Sequence, residues 1–458
     1  MIKTIIEPFK IKMVEPLPIL TSEQRKGFIR ECDYNLFFLR SEWVTFDFLT
    51  DSGTSSMSAQ QWAALMVGDE SYAGSKSFYR LEKVVQDLTG FPHIIPVHQG
   101  RAAEYLLAKA LLKPQQIVIA NTHFDTTRAN IEMAQATAID LPIAAAKNSR
   151  EWHPFKGNMD VEKLNHILSN RGKQVAFVIM TVTNNSVGGQ PVSMENLKAV
   201  AQICRQHGKL LFIDCARFAE NVWFIKTREP GYENRSTRSI AQEMFSLADG
   251  TWMSAKKDAF GNIGGFLAVK DAGLAQEIRQ LMVVTEGFPT YGGLAGRDLE
   301  SLAVGLEEVL EEDYLRYRIR STAYLGEGLK QAGFTVVEPF GGHAIYIDAL
   351  ASIPHLPWYQ FPGQSLSVAF YETVGVRSVE VGSIMLGKKD PQSGQQQPAL
   401  KELLRLAIPR RVYTQSHIDY VIEGAHLVAQ QIPALPGYRF IYEPPVLRHF
   451  TARFAPII

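Results

Sequence analysis

Cysteine is scarce in this chain of 458 residues, which has three: Cys32, Cys204 and Cys215. An odd number at wide spacing fits neither a disulfide framework nor a zinc cluster. An excess of charge is also lacking, because 47 basic and 47 acidic residues give a formal net charge of zero. That balance offers no bulk attraction to nucleic acid or to an anionic membrane. A reducing cytoplasm is the location that these features predict.

Long apolar runs and nucleotide motifs are missing as well. No apolar run approaches the roughly 20 residues of a spanning helix, and the stretch 1–20 lacks the basic and apolar segments of a secretory signal. The chain has no G-x-x-x-x-G-K-[ST] motif and no G-x-G-x-x-G motif after a strand. We therefore expect a soluble globular protein of two or three domains that binds a small molecule and engages neither membrane nor nucleic acid.

The middle of the chain alternates strand and helix patterns. The run 174–182 is apolar and rich in β-branched residues, as a strand buried on both faces should be. Ser193 then stands where an N-cap would, apolar residues recur at helical spacing, and Gly208 supplies a stop before the strand-like run 209–214. This strand–helix–strand order predicts an α/β fold around a mostly parallel sheet.

Polar clusters follow three predicted strands. They are residues 183–186, residues 214–217 and residues 254–257. Ligands of parallel sheets collect at the carboxyl ends of the strands, so we expect Asn185, Asp214, Arg217 and the lysine pair to converge on one crevice. Each has a plain alternative: Asn185 as a turn residue, Asp214 as a cap or ion-pair partner of Arg217, and the lysines as a solvated surface turn.

Pyridoxal phosphate would use this set well. Its ring needs an anion beside the pyridine nitrogen, donors near the phenolic oxygen and a lysine amine that carries the cofactor as a Schiff base. Its phosphate needs backbone N–H groups at a helix start, which a strand-like run at 94–97 followed by Gln99, Gly100 and Arg101 could supply, with the Ser254 hydroxyl in addition. Taken alone, the Gln-Gly-Arg stretch is also typical of an ordinary strand-to-helix turn.

Longer strings then give a resemblance over essentially the full length. In order, they are 49–54 (LTDSGT), 68–75 (GDESYAGS), 188–193 (GGQPVS), 253–258 (MSAKKD), 286–294 (EGFPTYGGL) and 408–410 (IPR). By these strings the chain resembles the β-eliminating lyase family of pyridoxal phosphate enzymes. The resemblance implies the aspartate aminotransferase fold (fold type I), with a large domain around a mostly parallel sheet and a smaller α+β domain. It also implies a tetramer of two tight dimers, a potassium requirement, and cleavage of an aromatic amino acid to the free arene, pyruvate and ammonia.

The resemblance also implies roles for individual residues. Lys257 is the lysine that carries the cofactor, and Lys256 lies near the phosphate. The further cofactor residues are Gln99, Gly100, Arg101 and Ser254 at the phosphate, Phe124 on the ring face, Asn185 and Arg217 at the ring oxygen, and Asp214 at the pyridine nitrogen. The implied substrate residues are Thr50, Ser52, Asp125, Asn185, Val379 and Arg410, with Arg410 holding the carboxylate through its planar fork. Potassium would take the Glu70 side chain and backbone oxygens of Gly53 and Asn262, and Tyr72 would come from the neighbouring subunit of a dimer.

Three positions bear on the choice of substrate. The family members that act on tyrosine have threonine, arginine and phenylalanine where this chain has Asp125, Val381 and His449. A carboxylate suits the indole N–H, and an apolar wall suits the larger bicyclic ring. The chain is therefore expected to eliminate indole from L-tryptophan, with L-tyrosine cleavage as the alternative. Asp125, Tyr72 and His449 are the candidates for protonating indole C3; the plain alternatives are that Asp125 caps a helix and that His449 is a core imidazole.

The expected domain division places the cofactor domain at 57–311 and a smaller domain at 1–56 and 312–458, which closes over the cleft. A non-catalytic binding or scaffold protein on the same fold is the remaining class of function; such a protein would bind no cofactor at Lys257.

Overall fold

The chain, described by a computed structural model at residues 4–390, 393–445 and 447–457, divides into two compact units. The first unit contains 1–51, 147–152 and 319–458, and the second contains 52–146 and 153–318. Both are discontinuous in sequence. The domains expected at 57–311 and at 1–56 with 312–458 stay a prediction.

The helices and strands follow in chain order. The α-helices are α1 Ser22–Glu31, α2 Ala59–Val67, α3 Lys76–Thr89, α4 Gly100–Leu111, α5 Asp125–Met133, α6 Val161–Arg171, α7 Met194–Gln206, α8 Phe218–Arg228, α9 Thr237–Ser246, α10 Ala272–Thr285, α11 Gly296–Glu308, α12 Glu312–Gln331, α13 Ala349–Ser352, α14 Pro362–Val374 and α15 Gln415–Gln431. The strands are β1 Phe46–Asp47, β2 His93–Val97, β3 Ile117–Ala120, β4 Thr137–Asp140, β5 Val175–Thr181, β6 Leu210–Asp214, β7 Gly250–Ser254, β8 Gly265–Val269, β9 Ala344–Asp348, β10 Val376–Arg377, β11 Val379–Val381, β12 Lys388–Lys389, β13 Gln396–Gln397, β14 Leu403–Ala407, β15 Tyr438–Tyr442 and β16 Arg453–Pro456.

A seven-stranded sheet forms the centre of the second unit. Its strand order is β2-β8-β7-β6-β5-β3-β4, and β8 is antiparallel to both of its neighbours while the other pairings are parallel. The mostly parallel α/β sheet expected from the sequence is confirmed. Because β5, β6 and β7 are parallel neighbours, their carboxyl ends lie at one edge, which is where the polar clusters follow.

Local sequence explains why these elements form where they do. Strand β5 is an almost fully buried apolar segment, and its Phe177 packs edge-on against Phe212 of β6 with ring centroids 5.4 Å apart. Helix α7 begins after Ser193, whose hydroxyl accepts the N–H of Asn196 at 3.1 Å. Gly208 takes φ +61° after the helix ends, a conformation that glycine adopts without steric cost.

The first unit is of mixed α+β type. Its three-stranded antiparallel sheet has the order β11-β14-β9, and helices α14 and α15 contribute to an apolar core with this sheet. Shorter two-stranded pairs are formed by β1 with β10 and by β15 with β16. This unit carries Val379, Val381, Arg410 and His449, which the sequence singled out for substrate binding or catalysis.

The three cysteines are free and buried. Cys32 belongs to the first unit, and Cys204 and Cys215 belong to the second. Burial raises the pKa of the Cys32 thiol to about 11 and that of the Cys204 thiol to about 12. None of the described helices is both long and apolar enough to cross a membrane.

Candidate functional site

A cavity lies at the carboxyl ends of β5, β6 and β7, wholly within the second unit. It gathers all of the cofactor residues that the sequence singled out. The lining includes Ser52, Gln99, Gly100, Arg101, Phe124, Asn185, Asp214, Arg217, Ser254, Lys256 and Lys257. The convergence expected from the strand ends is therefore what the fold produces.

Asp214 is a buried acid at the end of β6. Its Oδ1 accepts the backbone N–H of Ala216 at 3.2 Å. Burial raises the pKa of this carboxyl, while the positive charges of Lys257 and Arg217 oppose the rise. A buried carboxylate stays ionised only when a positive partner compensates for lost hydration. The protonated pyridine nitrogen of pyridoxal phosphate is such a partner, so Asp214 fits the cofactor.

Lys257 follows the end of β7 and turns its amine into the same cavity. Its Nζ donates a hydrogen bond to Ser254 Oγ at 2.8 Å. The preceding Lys256 is also half-buried, and its pKa is lowered by burial and by the charge of Arg101. Partial burial and a neighbouring positive charge lower the pKa of a lysine, so that more of its amine is unprotonated and able to act as a nucleophile. Lys256 shows that this part of the cavity has both effects.

The start of helix α4 forms a cradle for an anion. Gln99 precedes the helix in extended conformation and its side chain caps no helix N–H group. A Cβ on Gly100 would lie 2.7 Å from Ser254 Cβ, so only glycine lets the two backbones approach this closely. Free N–H groups at a helix start, with Arg101 and the Ser254 hydroxyl beside them, suit a phosphate.

Replacing Gly100 by alanine is expected to weaken cofactor binding about tenfold, because overpacking of this size costs about 1–3 kcal/mol. Fluorescence titration of the stripped protein with pyridoxal phosphate measures the change. Gly172→Ala is the matched control, since a Cβ there meets nothing within 4 Å. Equal dissociation constants for the two variants would contradict the cradle.

Phe124 and Asn185 both line the cavity, but Asp125 is not among its lining residues. Asp125 is the first residue of α5, and its Oδ1 accepts the N–H of Thr126 at 2.6 Å. Phe124 is the N-cap of this helix and no side chain caps it, so the capping alternative for Asp125 is wrong. Its role toward a substrate stays a prediction.

Glu104 is a cavity residue that the sequence analysis did not single out. It lies on the cavity face of α4, and its Oε2 accepts the hydroxyl proton of Thr126 at 2.7 Å. Burial, followed by the charge of Asp214, raises the pKa of Glu104 to about 8. An acid one helical turn after Gly100, on an otherwise apolar face, was the available signal.

Arg410 lies in the first unit and is fully buried. Its Nη1 donates to Asp51 Oδ2 at 2.8 Å and to the Asp51 backbone oxygen at 3.3 Å. A pair buried this completely stabilises the fold only while both charges are present. Thr50 of the same unit is half-buried next to this aspartate.

Val379 and His449 both line a small cavity in the first unit. The His449 ring packs edge-on against Phe37 at 5.7 Å between centroids. Burial, with the charges of Arg405 and Arg448, lowers the pKa of His449 to about 3, so this imidazole is neutral at physiological pH. Val381 lies in an apolar cluster of the same unit with Val379, Tyr346 and Leu403.

Tyr72 lies on the surface of the second unit, with 71% of its area exposed. Its ring contacts Tyr291 and Phe288 at 5.3 and 5.8 Å between centroids. A hydrogen bond with Tyr291 is the main cause of a raised pKa at Tyr72. The hydroxyl therefore keeps its proton.

The three residues expected to bind potassium are brought together only in part. Asn262 Nδ2 donates to the backbone oxygen of Gly53 at 3.2 Å, and a Cβ on Gly53 would lie 3.0 Å from the Asn262 backbone oxygen. Glu70 is exposed. Within the described part of the chain, no cluster of three or more His, Cys, Asp or Glu side chains could hold a metal ion.

Comparison with known proteins identifies a family whose members resemble this chain over most of its length. Residues 47–424 match the family model described as β-eliminating lyase. The tryptophanases of Hyphomonas neptunium and Rhodobacter capsulatus are 55% and 54% identical to the chain, each match covering 99% of both sequences. A tyrosine phenol-lyase of Symbiobacterium thermophilum is 47% identical and covers 98% of each.

Solved structures agree on the fold. A threonine aldolase of Leishmania major superposes with a TM-score of 0.58 at 16% identity, covering 84% of this chain and 99% of that one. A serine palmitoyltransferase from S. paucimobilis, solved with bound PLP, gives 0.58 at 14% identity over 85% and 88%. The expected fold type I of pyridoxal phosphate enzymes is confirmed.

Proposed function

The chain belongs to the β-eliminating lyase family, and from this premise we propose that it is a pyridoxal phosphate-dependent carbon–carbon lyase that converts L-tryptophan to indole, pyruvate and ammonia. One observation carries the proposal: a lysine amine, a buried carboxyl group and an uncapped helix start line one cavity. In such a site the lysine amine would react with the carbonyl of the cofactor, and the carboxyl group would pair with the pyridine nitrogen. The helix start would bind the phosphate.

When bound, pyridoxal phosphate supplies an electron sink for the bonds at the substrate Cα. Asp214 would pair with the pyridine nitrogen and keep it protonated, and Asn185 and Arg217 would donate to the ring oxygen. Phe124 would cover the ring face. The phosphate would be held by Gln99, Gly100, Arg101, Ser254 and Lys256.

Lys257 has two tasks in this proposal. Its amine would hold the cofactor in the absence of substrate, and as a free amine it would remove the proton from the substrate Cα. The hydrogen bond from Nζ to Ser254 Oγ gives the free amine a fixed position between these two tasks. The substrate roles of Thr50, Ser52, Asn185, Val379 and Arg410 follow from the resemblance, with Arg410 as the carboxylate clamp.

Indole is a poor leaving group, so a proton must reach its C3 before the carbon–carbon bond breaks. His449 is neutral at physiological pH and so is a poor source of that proton. Tyr72 keeps its proton, and Asp125 offers a carboxylate to the indole N–H. We assign the proton transfer to Tyr72 and ring recognition to Asp125 and His449.

Three finer features belong to the same proposal. Potassium would bind oxygen atoms of Gly53, Glu70 and Asn262. The exposure of Tyr72 is what a residue that acts in a neighbouring subunit would show, which supports the homotetramer built from two dimers. The cytoplasmic location stays a prediction from the few cysteines.

The choice of tryptophan over tyrosine is supported by the higher identity to tryptophanases than to a tyrosine phenol-lyase. It is also supported by Asp125, Val381 and His449. Incubating the protein with each amino acid and assaying indole and phenol tests it. We expect kcat/KM for tryptophan to exceed that for tyrosine by at least about a hundredfold. Discrimination of this size is available when the wrong substrate leaves a polar group of the site without its hydrogen-bond partner.

Lys257→Ala is the control for this assay and should form neither product. Phenol as the main product would instead assign tyrosine as the substrate. A protein that binds no cofactor and forms neither product would belong to the non-catalytic class.

A further inference from the structure

Two buried acids, Glu380 and Glu402, hold the turn that follows strand β11. Ser383 N–H donates to both Glu402 oxygens at 3.1 and 3.0 Å, and the Ser383 hydroxyl donates to Oε1. The N–H groups of Ile384 and Met385 donate to Glu380 at 3.0 and 3.1 Å. We call residues 383–385 the 383–385 turn. Its three successive backbone N–H groups therefore donate to the side chains of Glu402 and Glu380.

The two carboxyl groups are close to each other. A Cβ on Gly382 would lie 2.5 Å from Glu380 Oε1 and 2.4 Å from Glu402 Oε2. Both side chains are buried, with 3% and 1% of their area exposed. Two carboxylates in one buried site repel each other, so ionising both is unfavourable, and a proton on one of them removes the repulsion.

Glu380, but not Glu402, lines the small cavity of the first unit that contains Val379 and His449. Val379, Glu380, Ile384 and His449 all line it. Ile384 belongs to the 383–385 turn, so the shape of the wall depends on the hydrogen bonds from that turn to the two acids. The alternation of strand β11 places Val379 and Val381 on one face and Glu380 on the other.

We propose that Glu380 and Glu402 are positioning residues that share one proton, and that losing this proton at alkaline pH loosens the wall against which the aromatic ring of the substrate packs. The inference rests on the proposed function, since it takes Val379 and His449 as ring contacts. It adds a pH-dependent control of ring affinity that is separate from the proton transfers of elimination.

The charges around the pair favour one proton at neutral pH. Burial and the neighbouring Glu402 raise the pKa of Glu380 to about 8, and burial also raises the pKa of Glu402, with Asp348 adding to the rise. Arg448 donates to the backbone oxygens of Ser383 and Ile384 and so stabilises the turn itself. Helix α14 contributes Gly363, which adds no charge there. The adjoining segments also carry Lys401, whose pKa is lowered by burial, Arg405, Arg377, Tyr346 and the neutral His449.

Stability should respond to the same proton. Between the ordinary carboxyl range and about 8, the folded protein binds more protons at Glu380 than the unfolded chain. The free energy of unfolding therefore falls as the pH rises through this window and levels off above it. Glutamine at 380 has the shape of the protonated acid and does not titrate.

The experiment compares holoenzyme carrying Glu380→Gln with the unmodified protein and with Glu372→Gln. Glu372 is the matched control, because burial raises its pKa as well but it is not among the residues that line this cavity. The KM for tryptophan is measured from pH 7 to pH 9. It should rise about tenfold in the unmodified protein and in Glu372→Gln. At about one pH unit above the pKa of the pair, only about a tenth of the protein still carries the shared proton. It should change less than about twofold in Glu380→Gln.

A second substrate separates ring affinity from chemistry. For 3-chloroalanine, which has a leaving group but no ring, the pH profiles of all three proteins should coincide, as should their kcat profiles. Coincident KM profiles for tryptophan would overturn the inference while leaving the proposed function intact. Elimination from neither substrate would remove the proposed function.

A third measurement does not depend on turnover. The melting temperature of the unmodified holoenzyme should fall more between pH 6 and pH 8 than that of Glu380→Gln, and equal slopes would overturn the shared proton. Should Glu380→Gln not fold, Glu402→Gln takes its place in every comparison with the same expected outcomes.

Discussion

Lys257→Ala is expected to lose elimination activity by about 10⁴-fold or more, because a residue that both carries the cofactor and moves the α-proton is removed. The same change should abolish covalent attachment of the cofactor. Borohydride reduction followed by peptide mass spectrometry reads that attachment directly. The peptide containing residue 257 gains the reduced cofactor mass in the unmodified protein and no mass in the variant.

Two further proteins make this result specific. Lys257→Arg keeps the positive charge near Asp214 but cannot carry the cofactor, so it should fold and bind pyridoxal phosphate non-covalently with the same loss of activity. Lys198→Ala, at a surface lysine paired with Glu243, should behave as the unmodified protein. Modification at 256 instead of 257 would show that the assignment within the lysine pair is wrong.

Arg410→Met is expected to lower the free energy of unfolding by about 3–5 kcal/mol, since it removes the buried ion-pair partner of the Asp51 carboxylate. Both side chains are almost fully buried and are joined at 2.8 Å. Thermal or denaturant unfolding measures the loss. Arg320→Met, which breaks an exposed pair with Glu327, is the control and should cost less than about 1 kcal/mol.

The double variant Asp51→Asn, Arg410→Met separates stability from substrate binding. Removing both charges should recover most of the lost stability, but the carboxylate clamp is still missing. The KM for tryptophan should therefore remain at least about tenfold above that of the unmodified protein, as expected when a charged hydrogen bond of about 1.5–3 kcal/mol is lost. A normal KM in this stable double variant would remove Arg410 from the substrate site.

The parallel-sheet half of the fold was predictable from local pattern. The apolar run at 174–182 and the capped helix after Ser193 correspond to β5 and α7. Buried strands of a parallel sheet must be apolar on both faces, and this requirement leaves a signal in any single sequence. The cavity followed from the same logic, because polar residues placed directly after such strands share one edge.

Other features depend on contacts between distant residues and had no local signal. Residues 147–152 belong to the same compact unit as 319–458. No change in amino-acid composition distinguishes this short segment from its neighbours in sequence. Strand β8 runs antiparallel although it is fully buried and apolar, as the parallel strands of the same sheet are. Glu380 and Glu402 are 22 positions apart, and only the pairing of β11 with β14 brings them together.

The three buried cysteine thiols can be used to detect local or global opening of the folded protein. A thiolate is the reactive form, and burial both shields these sulfurs and raises their pKa. Alkylation of Cys32 thus records exposure of the first unit, whereas alkylation of Cys204 or Cys215 records exposure of the second. Mass spectrometry after a timed thiol pulse therefore distinguishes opening of one unit from opening of both, without introducing any label site.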